Sequence, residues 1–276
     1  MLPLVANAAK KKGPWLRLFV RRHRELEREA GRRLLQQPTN VMRYALDHPL
    51  SGFAEVLRGI KLAADLTLGG QSRKIVGVVS VLPEEGKSTV AKNLASLLAH
   101  QGAETLLIDS DLRNPGLTRS VAPNAEAGLV QAVLDGTPIK DLLHFEKDSN
   151  LAVLPAVLQR RLPHAPELLG SAGMRSVLKQ AGQEFAWVVL DLPPLGPVVD
   201  ARAIADQVDA FVLVVEWGRT TRRLVRTTLE SDPQIREKCL GVVLNKVRLQ
   251  DLRLYDAYGS KAYYSGEYAR YYRDGP

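Results

Sequence analysis

The chain has 276 residues, 45% of them hydrophobic and 25% charged, with a net charge of +8, which leaves room for one α/β domain of about 200 residues plus extensions. A single cysteine, Cys239, excludes an intramolecular disulfide and a cysteine-cluster metal site and fits a reducing compartment. No run approaches the roughly 18 apolar residues of a membrane-spanning helix, and the N-terminus lacks an apolar secretion segment, so the chain reads as cytoplasmic unless something tethers it.

The charge is uneven. Residues 1–40 hold ten Lys/Arg against three Glu, while the rest of the chain is nearly balanced at 28 against 27. After Lys10-Lys11-Lys12, the residues Trp15, Phe19, Leu26, Ala30 and Leu34 recur near multiples of one helical turn, with arginines between them. Such a basic amphipathic helix suits an anionic membrane surface through residues 10–35, each nearby Lys/Arg contributing about 1 kcal/mol. A solvated helix, a partner-docking arm or a nucleic-acid patch would carry the same pattern.

Polar residues cluster at Gln36-Gln37-Pro38-Thr39-Asn40 and end the arm. Residues 41–250 read as the main domain, and 251–276 as a tail. A helix is expected from Phe53 to about Leu68, where Glu55, Arg58 and Lys61 repeat every three residues and share one broad face. That stripe is ordinarily a solvated face. Gly69-Gly70-Gln71-Ser72 then forms a hinge.

The stretch from Lys74 to Ala99 organises the domain. An apolar, β-branched run (Ile75, Val76, Val78, Val79) leads into a loop with Pro83 and Gly86 and then a helix, predicting a buried strand, a turn and a helix. The loop closes in Gly86-Lys87-Ser88-Thr89, the second half of a phosphate-binding loop. Its backbone amides and helix N-terminus meet a polyphosphate, Lys87 reaches the β/γ-phosphates and Ser88 holds Mg²⁺. A simple helix cap would also use Ser and Thr. The first glycine of the general pattern is replaced by Val81, and Glu84 stands where a loop glycine would be comfortable.

Further along, a second strand ends in Asp109-Ser110-Asp111, at the carboxyl edge where α/β sheets bind ligands. Hard oxygen ligands there suit Mg²⁺, and a neighbouring carboxylate can serve as a base. Residues 114–185 read as helix and loop with one short strand, Leu151 to Leu154. A third strand, Trp187 to Asp191, is stopped by Pro193-Pro194. A helix starts at Asp200-Ala201. Ala210–Val215 and Leu240–Asn245 complete a mainly parallel sheet with helices on both faces. Asn245 can hydrogen-bond a nucleotide base or cap the following turn.

Together these motifs resemble the bacterial protein-tyrosine kinases of capsule and exopolysaccharide synthesis, a branch of the deviant P-loop ATPases. The resemblance covers about residues 53–272: S-x-x-P-x-E-G-K-S-T at Ser80–Thr89, I-D-x-D-x-R at Ile108–Arg113, L-D-x-P-P at Leu190–Pro194 and G-V-V-L-N at Gly241–Asn245. It implies ATP and Mg²⁺, with nucleotide contacts at Glu85, Gly86, Lys87, Ser88, Thr89 and Asn245, metal organisation by Ser88, Asp111 and Asp191, and Asp109 as the base. It also implies ring-like self-association through Glu55, Arg58 and Lys61, with lysine replacing the family's last arginine. A separate transmembrane activator of the polysaccharide chain-length type follows from the same resemblance, and a nucleic-acid partner is not expected.

Seven of the eight tyrosines (Tyr255, Tyr258, Tyr263, Tyr264, Tyr268, Tyr271, Tyr272) crowd into eighteen residues of polar tail. Their composition is too polar to pack as a core, leaving aromatic stickers for a partner or, by the resemblance, autophosphorylation sites modified in trans. Two other classes share the phosphate motifs: a partition or division-site ATPase switch, and a non-catalytic nucleotide-binding adaptor. Against the first, Leu82 stands where those ATPases carry a lysine.

Overall fold

The computed structural model describes residues 33–36, 40–158, 160 and 162–247. Nearly all of the basic arm and the tyrosines from Tyr255 to Tyr272 lie outside them. Among the described residues no helix is long and apolar enough to cross a membrane.

The helices in chain order are α1 (Tyr44–Asp47), α2 (Gly52–Thr67), α3 (Lys87–His100), α4 (Gly116–Val121), α5 (Leu129–Leu134), α6 (Ala165–Leu169), α7 (Ala172–Glu184), α8 (Asp200–Ala203), α9 (Arg222–Glu230) and α10 (Pro233–Glu237). The strands are β1 (Lys74–Ser80), β2 (Thr105–Asp109), β3 (His144–Phe145), β4 (Leu151–Leu154), β5 (Trp187–Asp191), β6 (Ala210–Glu216) and β7 (Cys239–Asn245). They form one sheet in the order β3-β4-β2-β5-β1-β6-β7, parallel except for the β3–β4 pair.

The expected mainly parallel sheet with helices on both faces is what forms. Consecutive strand residues feed opposite layers: Ile75 and Val79 join the core that includes α5, α7 and α8, whereas Val76 and Val78 join the core under α2, α3 and α4. This explains why the strands read as unbroken apolar runs rather than as alternating ones. Side-chain caps set the helix starts where the sequence offers them, with Ser51, Ser171 and Thr221 each accepting from the amide three residues on.

Two features depart from the reading of the sequence. The region between residues 114 and 185 holds a second strand, β3, whose two residues are too few to show a period. Leu34, placed on the apolar stripe of the arm helix, instead forms a parallel bridge to Phe145, and Leu35 N donates to Phe145 O at 3.0 Å. The edge left open by short β3 supplies an acceptor that a solvated helix turn would not. The folded unit therefore takes in residues that the arm was expected to own.

Helix α3 is the central pillar. Lys92, fully buried on it, donates to Ser96 Oγ at 2.7 Å and to Glu146 Oε1 at 2.9 Å, tying the helix to the β3–β4 turn. Burial pulls the Lys92 pKa down, against the attraction of Glu146. Asn93, next to it, accepts from Ala45 N and donates to Val41 O and Thr89 O, docking the segment that precedes α2.

Candidate nucleotide site

The site lies at the carboxyl ends of β1, β2 and β5, where the parallel sheet exposes strand termini and the chain turns into helices. Asp109 and Asp191 are register partners across β2 and β5. Lys87, the first residue of α3, reaches between the two loops. Its Nζ stands 2.9 Å from Asp111 Oδ2 and 3.0 Å from Asp191 Oδ1, and 3.4 Å from Ser88 Oγ. Burial would lower the pKa of this ammonium, but Asp191 and Asp111 outweigh it and hold it above the ordinary lysine value. A cation is thereby kept at the mouth of the helix N-terminus, the place where an anion is most favoured.

Asp109 is fully buried. Its Oδ2 accepts from Thr118 N at 2.8 Å and Thr118 Oγ1 at 2.7 Å, and its Oδ1 accepts from Asp111 N at 3.2 Å. Burial and the neighbouring Asp191 carboxylate push its pKa up to about 7, against these hydrogen bonds and the Lys87 charge. Asp191 is also raised, first by burial, with Lys87 and Ser88 opposing. A carboxylate that titrates near neutrality can take a proton at physiological pH, which an ordinary aspartate does poorly. The folded state holds a proton on Asp109 that the unfolded chain releases between about pH 4 and 7, so this group lowers stability as pH rises through that window.

The loop itself is built by residues whose roles the sequence did not disclose. The carboxylate of Glu85, which the resemblance made a nucleotide contact, is fully buried with both oxygens engaged inside the protein. Its Oε2 accepts from Val81 N and Leu82 N, both at 2.7 Å, and its Oε1 accepts from Glu216 N at 2.9 Å and from the Thr220 hydroxyl. The side chain of Asn245 likewise serves the loop, donating from Nδ2 to Glu85 O at 2.8 Å. This contact is neither a cap of the turn that follows β7 nor a base contact; it ties the end of β7 to the loop before α3. Gly86 adopts φ of +93°, and a Cβ there would sit 2.2 Å from Asn245 Nδ2, so only glycine fits.

Glu84 adopts φ of +68°, so the position noted as suiting glycine has the left-handed backbone that glycine prefers. Its carbonyl accepts from Lys246 Nζ at 2.7 Å, and Arg219 Nη1 donates to Pro83 O at 3.2 Å. Both cations also reach Glu216, so the turns after β6 and β7 clamp the loop from one side. Replacing Glu84 with glycine should relieve about 1 kcal/mol of backbone strain, less the extra entropy of the unfolded glycine. The expected result is a melting temperature raised by up to about 3 °C with nucleotide affinity retained; a calorimetric scan and a nucleotide titration check it.

Thr118 and Asp200 complete the surroundings. Thr118 Oγ1 accepts from Ala156 N at 2.8 Å while bonded to Asp109, linking that carboxylate to the segment after β4. Arg113 makes a two-pronged pair with buried Asp200, both contacts at 2.8 Å, locking the loop after β2 to the start of α8. Of the residues picked from the sequence, Lys87, Ser88, Asp109, Asp111 and Asp191 meet at one point; Glu85, Gly86 and Asn245 shape the loop beside it. Glu55, Arg58 and Lys61 lie on α2, where Arg58 pairs with Glu55 and bonds Pro49 O, and Lys61 pairs with Asp65.

A family model described as an AAA domain matches residues 75–219. The chain is 42% identical over 233 residues to the succinoglycan biosynthesis transport protein ExoP of Rhizobium meliloti, which covers 84% of this chain but 30% of ExoP, so it spans under a third of that relative's length. It is 33% identical over 200 residues to the tyrosine-protein kinase CpsD of Streptococcus agalactiae, covering 72% of this chain and 86% of CpsD. The crystal structure of the chimerical protein CapA2B2 superposes with a TM-score of 0.68 at 25% identity, covering 81% of this chain and 98% of that one. A nucleotide-binding loop, an aspartate pair and relatives of this kind lead to one conclusion: the chain belongs to the bacterial tyrosine-protein kinase family of capsule and exopolysaccharide biosynthesis, within the P-loop ATPases.

Proposed function

We propose that this member of the tyrosine kinase family uses ATP to phosphorylate the tyrosines of its own tail, Tyr255 to Tyr272, in trans, and thereby regulates exopolysaccharide synthesis and export. The observation that carries this reading is the meeting of Lys87, Asp109, Asp111 and Asp191 at the carboxyl edge of the sheet, the same edge from which the chain leaves β7 toward the tyrosine tail.

Lys87 and the amides at the start of α3 bind and orient the β/γ-phosphates, trading the carboxylate partners of Lys87 for phosphate oxygens. Mg²⁺ fits the donor set, because Asp191 Oδ2 is buried with no hydrogen-bond partner among the described residues. Ser88, Asp111 and Asp191 would hold it, and bound there it would neutralise charge on the transferring phosphoryl group. Asp109 accepts the proton of the incoming tyrosine hydroxyl as its oxygen bonds to the γ-phosphorus and the bond to the ADP oxygen breaks. Thr118 keeps that carboxylate in place. The rate of tail phosphorylation is expected to rise about tenfold per pH unit below pH 7 and to level off above it, with a midpoint near the Asp109 pKa of about 7. Single-turnover kinetics between pH 5.5 and 9 check this; a flat profile removes Asp109 from the role.

Ring-like self-association is assigned to the Glu55, Arg58 and Lys61 face of α2. In support, Val56, Leu62 and Leu66 on this helix are 46%, 59% and 76% exposed, an unusual amount of apolar surface for a helix that packs on a core. A transmembrane activator of the chain-length type, and an anionic membrane met through residues 10–35 at the inner face of the plasma membrane, are the proposed partners. The relatives being tyrosine kinases argues against the partition-type switch.

Mixing two variants tests transfer in trans. The Lys87→Met chain with its tail intact is incubated with an active chain whose seven tail tyrosines are phenylalanine. Phosphate on the Lys87→Met chain is the expected result. An unmodified Lys87→Met chain, under conditions where the native chain phosphorylates its own tail, would overturn it.

A further inference from the structure

Helix α9 covers β6 but leaves the outer face of edge strand β7 partly bare: Val242 and Leu244 are 46% and 58% exposed. Between them and the helix runs a groove of about 450 Å³, with apolar walls and a rim that carries Arg222, Arg226 and Arg236 against one carboxylate, Glu230. Arg222 and Arg226 lie one helical turn apart and have no ion-pair partner among the described residues. An apolar slot flanked by unpaired guanidinium groups matches one ligand chemistry closely, an aromatic ring that ends in a phosphate dianion.

The chain supplies such a ligand. We propose that the groove between α9 and β7 is an intramolecular docking site for phosphorylated tyrosine of the chain's own tail. Leu244, a wall of the groove, is the second-last residue of β7, so the tail begins at the groove's end. Tyr255 lies eleven positions beyond Leu244, a reach of up to about 35 Å, whereas nine-residue α9 is about 14 Å long. Every tail tyrosine can therefore fold back. A tether of this length gives an effective concentration in the millimolar range, so a weak site suffices.

Charge makes the site selective for the modified tail. Residues 251–276 hold four acidic residues (Asp251, Asp256, Glu267, Asp274) and four basic ones (Arg253, Lys261, Arg270, Arg273), for a net charge of zero. The unmodified tail is not drawn to a rim whose charge is about +1, from Arg222, Arg226 and Arg236 against Glu230 and the Glu237 that pairs with Arg236. Each phosphate adds about −1.5 to −2 and creates the attraction. Docking in this way would draw the modified tail away from neighbouring subunits, so that phosphorylation is read by the same chain that carries it.

The inference rests on the tail being phosphorylated, the reading proposed above, and its test is made independent of that reading. A synthetic peptide of residues 251–276 with phosphate on Tyr263 is titrated into the full chain with ADP saturating the nucleotide loop, by fluorescence anisotropy at two salt concentrations. Saturable binding is expected, weakened at least tenfold for the unphosphorylated peptide and at least tenfold in Arg222→Glu/Arg226→Glu, and weaker at high salt. These arginines are exposed and unpaired, so the variant should melt with the native chain, which a thermal scan verifies. No saturable binding, or equal binding to native chain and variant, overturns the proposal. Because the peptide carries its phosphate from synthesis, a chain without kinase activity would leave this result unchanged.

Discussion

Lys87→Met is expected to reduce tail phosphorylation by at least about 1,000-fold, the scale lost when a preorganised charge is removed from a phosphoryl-transfer site. The reason is visible in what the side chain holds apart. Its ammonium is buried between Asp111 and Asp191, and a third carboxylate, Asp109, stands beside Asp191. Without it, the site presents buried negative charge where the triphosphate must enter. The protein should still fold, because Asp191, already raised by burial, can take up a proton when its counter-ion is gone. That relief weakens as pH rises, for instance from pH 6 to pH 8. The variant should accordingly melt below the native chain by a margin that grows with pH. Radiolabel transfer and thermal scans at the two pH values check both halves. Retained transfer, or a margin that shrinks with pH, would contradict the assignment.

Glu85→Ala is expected to have the second largest effect, although both oxygens of its carboxylate are engaged within the protein. It removes the acceptor of Val81 N, Leu82 N and Glu216 N and of the Thr220 hydroxyl. Leaving such donors without partners costs about 1–3 kcal/mol each before relaxation, so a net loss of about 3 kcal/mol is expected after the loop adjusts. Nucleotide affinity should fall about 100-fold, since the amides proposed to cradle the phosphates belong to the same loop. Glutamine is not a conservative replacement here. One of its two ends is an NH₂ donor that would face N–H or O–H donors, so Glu85→Gln should lose most of what Glu85→Ala loses. Titration with a fluorescent ATP analogue and thermal melting measure the pair. Full affinity in Glu85→Gln would mean the hydrogen-bond network is dispensable.

What could be read in advance was whatever buried strands impose. β1, β2, β5 and β6 are apolar runs closed by a polar residue, because a parallel strand covered on both faces has no solvent side to interrupt it. The aspartates at their ends therefore marked the site. The phosphate loop was legible through Gly86-Lys87-Ser88-Thr89, and the strain at Glu84 through the missing glycine.

What could not be read was the direction in which a side chain turns. Nothing local distinguishes Glu85 meeting a nucleotide from Glu85 stapling the loop. The available clue was electrostatic: a carboxylate beside Gly-Lys in an anion site is out of place unless it faces inward. Thr118 and Asp200 were hidden for another reason. Their partners, Asp109 and Arg113, lie nine and 87 residues away in sequence, and only the packing of α4 and α8 brings them together. Leu34 was misplaced because a helical stripe and a bridge to a sheet edge require the same apolar residue.

The most direct measurement is site-resolved mass spectrometry of the full chain after incubation with ATP and Mg²⁺, with and without an activator fragment. Phosphate on tyrosines between Tyr255 and Tyr272, absent from Lys87→Met treated identically, is the predicted result. A chain that binds nucleotide yet leaves every tail tyrosine unmodified in both conditions would contradict the autokinase and leave a nucleotide-binding adaptor in its place.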